Sequence, residues 1–375
     1  MLDNHLCIVF AQEHFNPLGI IRSLGEKGIS PVYIAVKRKT DIGVLSKYVS
    51  HVHKVDTVEA GYQLLLNEYG NYSSDNVPIV FCTDDKTIGY LDSKYDELKG
   101  RFIFFNAGAC NRINKYMNKY EILDAANKCG INTLDTIVCK KGELPSGIKY
   151  PIITKSISPN IGGWKSDVHI CKNQDELIEA YKHIDAHLVL IQKYVNKKNE
   201  LEYYGMSINK GKDVLISIGL DYIYNIPGYY SPYMNVFMPP YPEIQEKIKK
   251  LIEFVGYEGI FDVEFIVDQD NQIYLMEVNF RSPAWSYAST VAGVNLPYCW
   301  AEGMITKKIS DEAYIEFESF KAMAEPIDYG KRVDSGKISI AQWIKEFKEV
   351  KCTYYYDEND IAPFEALYDN WEIMK

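Results

Sequence analysis

Carboxylate side chains recur in one short stretch of this 375-residue chain, DVEFIVDQDNQIYLMEVNFR, which spans Asp262–Arg281. Two runs rich in Val, Ile, Phe and Tyr flank a polar cluster, a pattern that predicts two antiparallel strands joined by a hairpin turn. A two-residue turn centred on Asp270 and Asn271 is favourable. Counting from that turn places Glu264 directly opposite Glu277.

The same register sorts the hairpin into two faces, because side chains alternate along a strand. The polar face carries Glu264, Glu277, Asn279 and Arg281, with Asp262 opposite Asn279. The apolar face, which we expect in the core, consists of Phe261, Val263, Phe265, Val267, Met276, Val278 and Phe280. Like charges directly across a strand pair repel each other. The two glutamates therefore need either a cation or an open, hydrated face.

Two lysines and a glycine pair could complete a nucleotide site around this acidic face. Lys119 lies on a predicted helix, and Lys155 ends a predicted strand just before the pair Gly162 and Gly163. Glycine-rich loops offer backbone N–H groups to phosphate oxygens, and lysines add point charges. Each feature alone is typical of solvated surface. Together with carboxylates and an amide oxygen, which suit Mg²⁺, they predict a magnesium–triphosphate site. Arg281 would neutralise the transferring phosphoryl group.

The first hundred residues contain five apolar runs, LCIVFA, SPVYIAV, VSHVHKV, VPIVFC and RFIFFN, alternating with helical patterns. This alternation predicts a parallel, wound α/β sheet. Ligands of such sheets bind at the carboxyl ends of the strands, where this chain has residues 12–14 (QEH) and 83–85 (TDD). The glycine fingerprint of dinucleotide-binding domains is absent after the first strand. Residues 37–38 (KR) therefore give little support to an NADP site.

From residue 111 the pattern predicts an α+β region. NKYMNKYEILDAANKCGI predicts one helix closing at Gly130. YPIITKSI, DVHI, HLVLIQKYV, ELEYYGMSI and DVLISIGLD predict strands, and DELIEAYKHI and residues 241–256 predict helices. The tyrosine-rich stretch DYIYNIPGYYSPYMNVF is either a substrate loop or a surface connection. Residues 311–375 are less regular, with one helix around SIAQWIKEF.

Composition excludes several classes of protein. A net charge of -10 argues against a nucleic-acid binder. No apolar run approaches the ~20 residues of a membrane span, and the opening MLDNHLCIVFA lacks the basic region of a signal peptide. The eight scattered cysteines show no metal-binding spacing and suggest free thiols. We therefore expect a cytoplasmic protein. His51 and His53 alternate along a strand, but a structural role is favoured because no third metal ligand is evident.

The motif DVEF…MEVNFR, followed by a small-residue helix and AGVNLP, resembles the ATP-grasp superfamily. It looks most like the D-aspartate ligase and carbamoyl-phosphate-synthase-like carboxylate–amine ligases. The resemblance covers nearly the whole chain, including the tail YDENDIAPFEAL. It implies an α/β plus α+β protein with a Rossmann-like pre-ATP-grasp domain (1–110). An ATP-grasp fold of two α+β subdomains that clamp ATP would follow (111–195 with a lid loop, 196–310 with the metal hairpin). A C-terminal extension (311–375) would pack on the grasp domain.

The resemblance also assigns the metal and phosphate positions. Glu264 would bind one Mg²⁺, Glu277 would bridge two, and Asn279 would complete the second. Lys119 and Lys155 would contact the ATP phosphates.

The remaining nucleotide contacts follow from the same resemblance. The loop 158–165, with Gly162 and Gly163, would close over the phosphates as a lid, although Trp164 departs from the family's glycine-rich pattern. The adenine hinge would be Gln192, Lys193, Tyr194 and Val195, with backbone groups of Lys193 and Val195 reading the base. Glu200 would accept hydrogen bonds from the ribose, or Glu202, on the same strand face, would take that role.

Ligases of this family transfer the γ-phosphoryl group of ATP to a carboxylate, and an amine then attacks the acyl phosphate. The resemblance thus implies ATP and two Mg²⁺ as cofactors, small carboxylate and amine substrates, and catalytic roles for Arg281 and Lys155. A homodimer is one arrangement it allows. Two alternatives stay open, a grasp-fold kinase that stops at a phosphorylated product and a non-catalytic nucleotide-binding protein.

Overall fold

The computed structural model describes residues 2–38, 41–71, 76–157, 167–226 and 230–369. None of the helices in this described part is both long enough and apolar enough to span a bilayer.

The first part of the chain forms a five-stranded parallel sheet in the order β3-β2-β1-β4-β5. Its strands are β1 (Cys7–Gln12), β2 (Val32–Val36), β3 (His51–Val55), β4 (Ile79–Phe81) and β5 (Ile103–Phe104). Its helices are α1 (Phe15–Gly25), α2 (Val58–Tyr69), α3 (Asp85–Ser93) and α4 (Tyr95–Leu98). All five predicted strands are confirmed. The strand order reverses beside β1, so the carboxyl ends of β1 and β4 border the crevice where wound sheets bind ligands.

The segment predicted as one helix after residue 111 is two helices, α5 (Arg112–Tyr116) and α6 (Lys119–Lys128). The prediction of a single helix was wrong because Asn118 interrupts it. Its side-chain oxygen accepts hydrogen bonds from the backbone N–H groups of residues 120 and 121, at 3.0 and 3.4 Å. This is the typical geometry of an N-cap residue. Lys119 therefore opens a helix instead of lying within one.

A four-stranded sheet, in the order β6-β9-β7-β8, follows these helices. Its strands are β6 (Thr136–Lys140), β7 (Ile152–Ser156), β8 (Ile170–Cys171) and β9 (Leu188–Lys193), and its helix is α7 (Gln174–Tyr181). One face packs on α7 in a small core that is separate from the main core. Lys155 and Gln192 point to the other face, because Ile153 pairs with Gln192 and Lys155 pairs with Leu190.

The largest sheet has seven strands in the order β14-β13-β10-β11-β12-β15-β16. They are β10 (Lys197–Ile208), β11 (Asp213–Tyr222), β12 (Tyr233–Phe237), β13 (Gly259–Asp268), β14 (Ile273–Asn279), β15 (Phe320–Met323) and β16 (Cys352–Thr353). The helices of this region are α8 (Pro242–Val255), α9 (Ser286–Ala292), α10 (Leu296–Thr306), α11 (Glu325–Tyr329), α12 (Ile340–Phe347) and α13 (Ala362–Asp369). Strand β12 lies within the tyrosine-rich stretch, so the end of that stretch is part of the sheet.

The C-terminal region joins this sheet and also reaches the first one. β15 and β16 extend the large sheet, and the helix expected around SIAQWIKEF is α12. Beyond β16, the buried Glu325 carboxylate accepts hydrogen bonds from the backbone N–H groups of residues 354–356. The carbonyl oxygens of residues 354 and 360 accept hydrogen bonds from Arg22 on α1. The tail thus links the two sheets.

The hairpin β13–β14 has the predicted register at the end that carries Glu264 and Glu277, but not near its turn. Glu264 pairs with Glu277, whereas the next pair is Phe265 with Leu275, so Met276 is a bulge. The expected core position of Met276 was wrong. Leu275 is buried in its place, and Met276 is only partly buried.

The turn explains this shift. Asp268 N–H donates to Gln272 O at 3.0 Å, so three residues, not two, connect the strands. Asn271 adopts a left-handed conformation (φ 59°), which is common in three-residue hairpin loops. The bulge absorbs the one-residue offset and restores the glutamate pair.

Candidate active site

Three glutamates form a row across three neighbouring strands. Glu264 on β13 faces Glu277 on β14, as predicted, and faces Glu202 on β10 on its other side. The sequence did not reveal the second contact, because nothing local fixes how β10 pairs with a strand some sixty residues away. Burial and the neighbouring carboxylates raise the pKa of Glu264 well above its usual range and that of Glu202 to about 8. The row therefore attracts cations.

A second row, two residue pairs further along, contains Asp262 and Asn279. Asn279 Nδ2 donates to Glu264 Oε1 at 2.9 Å and to Asp262 Oδ2 at 3.1 Å. Asp262 is 1% exposed, and its Oδ1 has no hydrogen-bond partner among the described residues. Burial raises the pKa of Asp262 to about 6, while the positive charge of Arg281 opposes the shift. An orphaned, buried carboxylate oxygen at this point favours an additional cation.

This donor set fits Mg²⁺ as an open site. Within the described ranges, no three His, Cys, Asp or Glu side chains form a ready metal cage. Mg²⁺ does not need one, since it commonly takes one or two protein carboxylates and completes its shell with water and phosphates. Glu264 and Glu277 supply the carboxylates. Asn279 could add its oxygen only after its amide turns, because its NH₂ group now faces the carboxylates.

The two predicted lysines approach the acidic rows from other elements. Lys119, at the start of α6, places Nζ 3.3 Å from Glu277 Oε1. Lys155 on β7 donates to Gln192 Oε1 at 3.0 Å, and Gln192 Nε2 donates to Thr136 Oγ1 at 3.0 Å. Gln192 is buried. It therefore orients Lys155 in this structure, and its role in the adenine hinge stays a prediction.

The rest of the predicted hinge follows at the end of β9. Lys193 N–H donates to Asp135 O at 2.9 Å, and Tyr194 N–H donates to Pro151 O at 3.0 Å. Lys193 could thus contact a base through its carbonyl group but not through its N–H group. No described residue accepts a hydrogen bond from Val195 N–H, which leaves that group for a ligand.

The structure describes both candidate ribose residues, but it does not describe the predicted lid. Glu200 is buried and forms an ion pair with Lys197, whereas Glu202 lies beside Glu264 in the acidic row and accepts a hydrogen bond from Tyr204 Oη at 2.9 Å. This placement favours Glu200 for the ribose. Gly162 and Gly163, with the whole predicted lid loop 158–165, lie outside the described residues.

Arg281 connects the acidic rows to the first sheet. Its Nη2 donates to Asn279 Oδ1 at 3.1 Å, and its Nε donates to Asp85 Oδ1 at 2.7 Å. The neighbouring Ser282 N–H donates to Cys82 O, directly after β4, at 3.0 Å. The carboxyl end of β4 is therefore part of the site, as the wound-sheet rule predicted.

The two residues that follow β1, at the other strand end of the first sheet, differ in their roles. Glu13 is buried and accepts hydrogen bonds from Tyr33 Oη and from the backbone N–H groups of Ile42 and Gly43, so its carboxylate has a structural role. His14 interacts electrostatically with Arg281. Burial, with a smaller contribution from Arg281, lowers the pKa of His14 to about 4.

The contacts of the two histidines on β3 are consistent with a structural role. The rings of His51 and His53 lie 4.4 Å apart, and His53 Nε2 is 2.7 Å from Tyr69 Oη. No described residue completes a metal site with them.

Lys155 gives a testable pH dependence. Loss of water and the nearby positive charge of Lys119 lower its pKa to about 8 in the ligand-free protein. The acidic groups around it, which raise its pKa, are Glu277, Glu200 and Glu264. Nucleotide phosphates would favour the charged amine, so binding should take up a proton. At pH 8.5 roughly three-quarters of the Lys155 amines would be neutral before binding, against about one-quarter at pH 7.5.

Calorimetric titration with magnesium-free ADP, in two buffers of different ionisation enthalpy, measures this uptake. We expect the number of protons taken up to rise between pH 7.5 and pH 8.5. Lys155→Arg should remove the rise. Lys172 is an exposed lysine directly after β8, and Lys172→Arg should keep the rise. An unchanged rise in Lys155→Arg would contradict the assignment.

Comparison with known proteins places this arrangement in a fold class. Residues 230–302, which include the hairpin, match the model of the ATP-binding domain of the carbamoyl-phosphate synthase L chain. The chain has the ATP-grasp fold, preceded by a Rossmann-like sheet, so the resemblance to the ATP-grasp superfamily and the predicted fold class are confirmed.

Particular relatives are distant. N5-carboxyaminoimidazole ribonucleotide synthase from Staphylococcus aureus is 28% identical over 140 residues, which are 34% of this chain and 34% of that protein. The match thus spans about a third of the curated relative.

Solved structures with the same fold cover more of the chain. N5-carboxyaminoimidazole synthetase from Staphylococcus aureus has a TM-score of 0.66 at 14% identity and covers 88% of this chain and 85% of its own. L-amino acid ligase from Bacillus licheniformis has a TM-score of 0.67 at 13% identity and covers 86% and 80%. The biotin carboxylase domain dimer of 2-oxoglutarate carboxylase from Hydrogenobacter thermophilus, in complex with MgADP, ADP and bicarbonate, has a TM-score of 0.65 at 18% identity and covers 86% and 76%.

Proposed function

We propose that this chain is an ATP-dependent ligase that activates a small carboxylate as an acyl phosphate and joins it to an amine. The observation that carries the proposal is the acidic row of Glu264 and Glu277, bordered by Lys119, Lys155 and Arg281. Opposed carboxylates with cationic groups on both sides suit a metal-bound triphosphate and a transferring phosphoryl group.

Each group has a distinct task in this proposal. Glu264, Glu277 and Asn279 would hold Mg²⁺, which supplies charge neutralisation to the phosphates when bound. Lys119 and Lys155 would bind phosphate oxygens, and Gln192 would keep Lys155 in place. Glu200 would bind the ribose. We propose two metal ions, which the three ligands and the orphaned oxygen of Asp262 support.

The proposed reaction has two steps, transfer of the phosphoryl group to the carboxylate and attack of the amine on the acyl phosphate. An oxygen of the substrate carboxylate attacks the γ-phosphorus, forms a new P–O bond and releases ADP. The amine, after losing one proton to water, forms a C–N bond at the acyl carbon while the C–O bond to phosphate breaks. A second proton leaves the nitrogen as inorganic phosphate departs. Arg281 would neutralise the phosphoryl oxygens throughout, so most of the catalysis would be positioning and charge stabilisation.

The names of the relatives, a ribonucleotide synthase, an amino acid ligase and a carboxylase, support this class of reaction. We propose small carboxylate and amine substrates and a homodimer as the assembly, the latter because one neighbour was solved as a domain dimer. All eight cysteines are free thiols, which supports a reducing, cytoplasmic location.

Hydroxylamine trapping tests the proposal. The protein is incubated with Mg-ATP, hydroxylamine and mixtures of small carboxylates, and both ADP and hydroxamates are measured. We expect carboxylate-dependent ADP release together with an equal amount of hydroxamate, because hydroxylamine attacks acyl phosphates. ADP release without hydroxamate, and without any requirement for an amine, would instead identify a kinase. No stimulated release from any mixture would favour the non-catalytic alternative.

A further inference from the structure

Two neighbouring carboxylates at the end of β4 have different tasks. Asp84 accepts hydrogen bonds from Gln12 N–H and Thr87 N–H, both at 2.8 Å, and from Thr87 Oγ1 at 2.9 Å. It therefore caps α3 and joins it to β1. Asp85 takes no part in this capping. Its one hydrogen-bond partner among the described residues is Arg281 Nε, and its side chain is 29% exposed.

The guanidinium of Arg281 is shared between acidic groups of both sheets. Asp85, at the start of α3 beside the first sheet, and Asp262, on the large sheet, both raise the pKa of Arg281. Asp262 is buried, and its Oδ1 has no partner among the described residues. Before any metal binds, two carboxylates on this side of the site therefore share the positive charge of Arg281.

The balance changes further when the proposed reaction begins. Arg281 is assigned to the phosphoryl group, and a guanidinium has five N–H donors, so its Nη groups can bind a phosphoryl dianion while Nε keeps its contact with Asp85 Oδ1. The dianion then takes up part of the positive charge that compensates Asp85. Asp85 Oδ2 has no hydrogen-bond partner among the described residues, and the side chain is partly exposed directly beside the reacting group. A carboxylate in that position attracts a positively charged group of the substrate.

We propose that the ammonium group of the amine substrate binds Oδ2 of the Asp85 carboxylate, beside Arg281. The substrate class is then a primary alkyl amine that arrives positively charged, as an amino acid does, and not a neutral nitrogen nucleophile. This inference rests on the proposed ligase function and adds to it the identity of the amine-binding residue.

The position of Asp85 would place the amine beside the phosphoryl-binding group. Asp85 Oδ1 lies 2.7 Å from Arg281 Nε, so the amine-binding and phosphoryl-binding groups are direct neighbours. An amine held by Asp85 would lose its proton to water within reach of the acyl carbon. Holding two reactants side by side is one of the largest contributions that a ligase can make to rate.

A simple structural tether would behave differently. If Asp85 served only to fix Arg281 in position, its removal would slow every reaction that needs Arg281, whatever the nucleophile. If Asp85 binds an ammonium group, its removal should selectively impair nucleophiles that carry a positive charge. Hydroxylamine is uncharged at pH 8 and alkyl amines are charged, so the two nucleophiles separate these roles.

The experiment uses the full chain with Mg-ATP and the carboxylate that yields the most hydroxamate in the trapping screen. Amide formation is measured with mixtures of L-amino acids, D-amino acids and simple diamines, and hydroxamate formation with hydroxylamine. The variants are Asp85→Asn, Asp85→Glu as the conservative rescue, and Asp96→Asn as the control. Asp96 is an exposed carboxylate on α4 that pairs with Lys99.

We expect Asp85→Asn to lower the ratio of amide to hydroxamate turnover by about tenfold or more, through a higher KM for the amine, since a hydrogen bond to a charged group is worth that much. Asp85→Glu should restore part of the ratio, and Asp96→Asn should not change it. An unchanged ratio in Asp85→Asn would overturn the inference, as would a wild-type protein that accepts hydroxylamine but no alkyl amine. Absence of hydroxamate in the wild type would instead reject the ligase function itself.

Discussion

Glu277→Gln should lower ATP turnover by about a thousandfold or more while leaving the fold intact. Glu277 faces Glu264 and receives Lys119 Nζ at 3.3 Å, so it is the point where the proposed metal and phosphate contacts meet. Loss of a metal ligand removes several kcal/mol of charge stabilisation from a phosphoryl transfer, and about 4 kcal/mol corresponds to a thousandfold in rate. The measurement is carboxylate-dependent ADP release.

Folding should not suffer from this substitution. Glu277 is partly exposed, at 30% of its side chain, and a pair this accessible to water, such as Lys119–Glu277, contributes little to stability. Removing the charge also relieves the repulsion with Glu264. We therefore expect a thermal midpoint equal to or slightly above that of the wild type.

Glu253→Gln is the matched control, since Glu253 is an exposed glutamate on α8. It should retain wild-type turnover. Calorimetry adds a second readout, in which Glu277→Gln still binds magnesium-free ADP but loses the gain in affinity that magnesium gives. Near-normal turnover in Glu277→Gln would rule out the metal assignment, whatever the stability of the variant.

The parts of this site that the sequence revealed are those set by local pattern. Alternating apolar residues and a polar turn were enough to pair Glu264 with Glu277. Even there, the turn length could not be read from the sequence, and the pairing was correct only because the bulge at Met276 compensates for the three-residue turn. The helix break at Asn118 was likewise missed, since an apolar periodicity can continue across a capping residue.

The parts that the sequence did not reveal depend on contacts between distant segments. Glu202 joins the acidic row through the pairing of β10 with β13. Asp85 reaches Arg281 across 196 positions of the chain. Strand pairing over such distances is decided by how whole sheets pack. A carboxylate at the end of a predicted parallel strand was the available signal for Asp85, and it indicated the edge of the sheet but not the partner.

The C-terminal tail was recognised from the sequence without a physical reason for its position. The structure supplies one in Arg22, which is fully buried on α1. Its guanidinium donates to Asp360 Oδ2 and to the carbonyl oxygens of residues 354, 355 and 360, at 2.9 to 3.0 Å. Nothing in the local sequence of α1 distinguishes this arginine from a surface one.

Arg22→Met should lower the free energy of unfolding by about 3–5 kcal/mol, the cost of leaving a buried charge without its partner. Methionine fills similar space but cannot donate, so Asp360, which is 2% exposed, stays buried with an uncompensated charge. Its remaining donors are Ser46 Oγ and Lys47 N–H, both at 2.8 Å. Because total stabilities are typically about 5–15 kcal/mol, the variant should be severely destabilised in urea or on heating.

Two further variants separate this mechanism from a general loss of packing. Arg101→Met removes a partly exposed arginine whose Nε donates to the neutral carbonyl of Gly70 at 3.0 Å, and it should cost less than about 1 kcal/mol. The double variant Arg22→Met/Asp360→Asn removes the buried charge as well, so it should be more stable than the sum of its single variants predicts. Strict additivity would show that charge pairing is not what fixes the tail to α1. With the charge pairing intact, the tail holds the first sheet against the large sheet, which is the arrangement that brings Asp85 to Arg281.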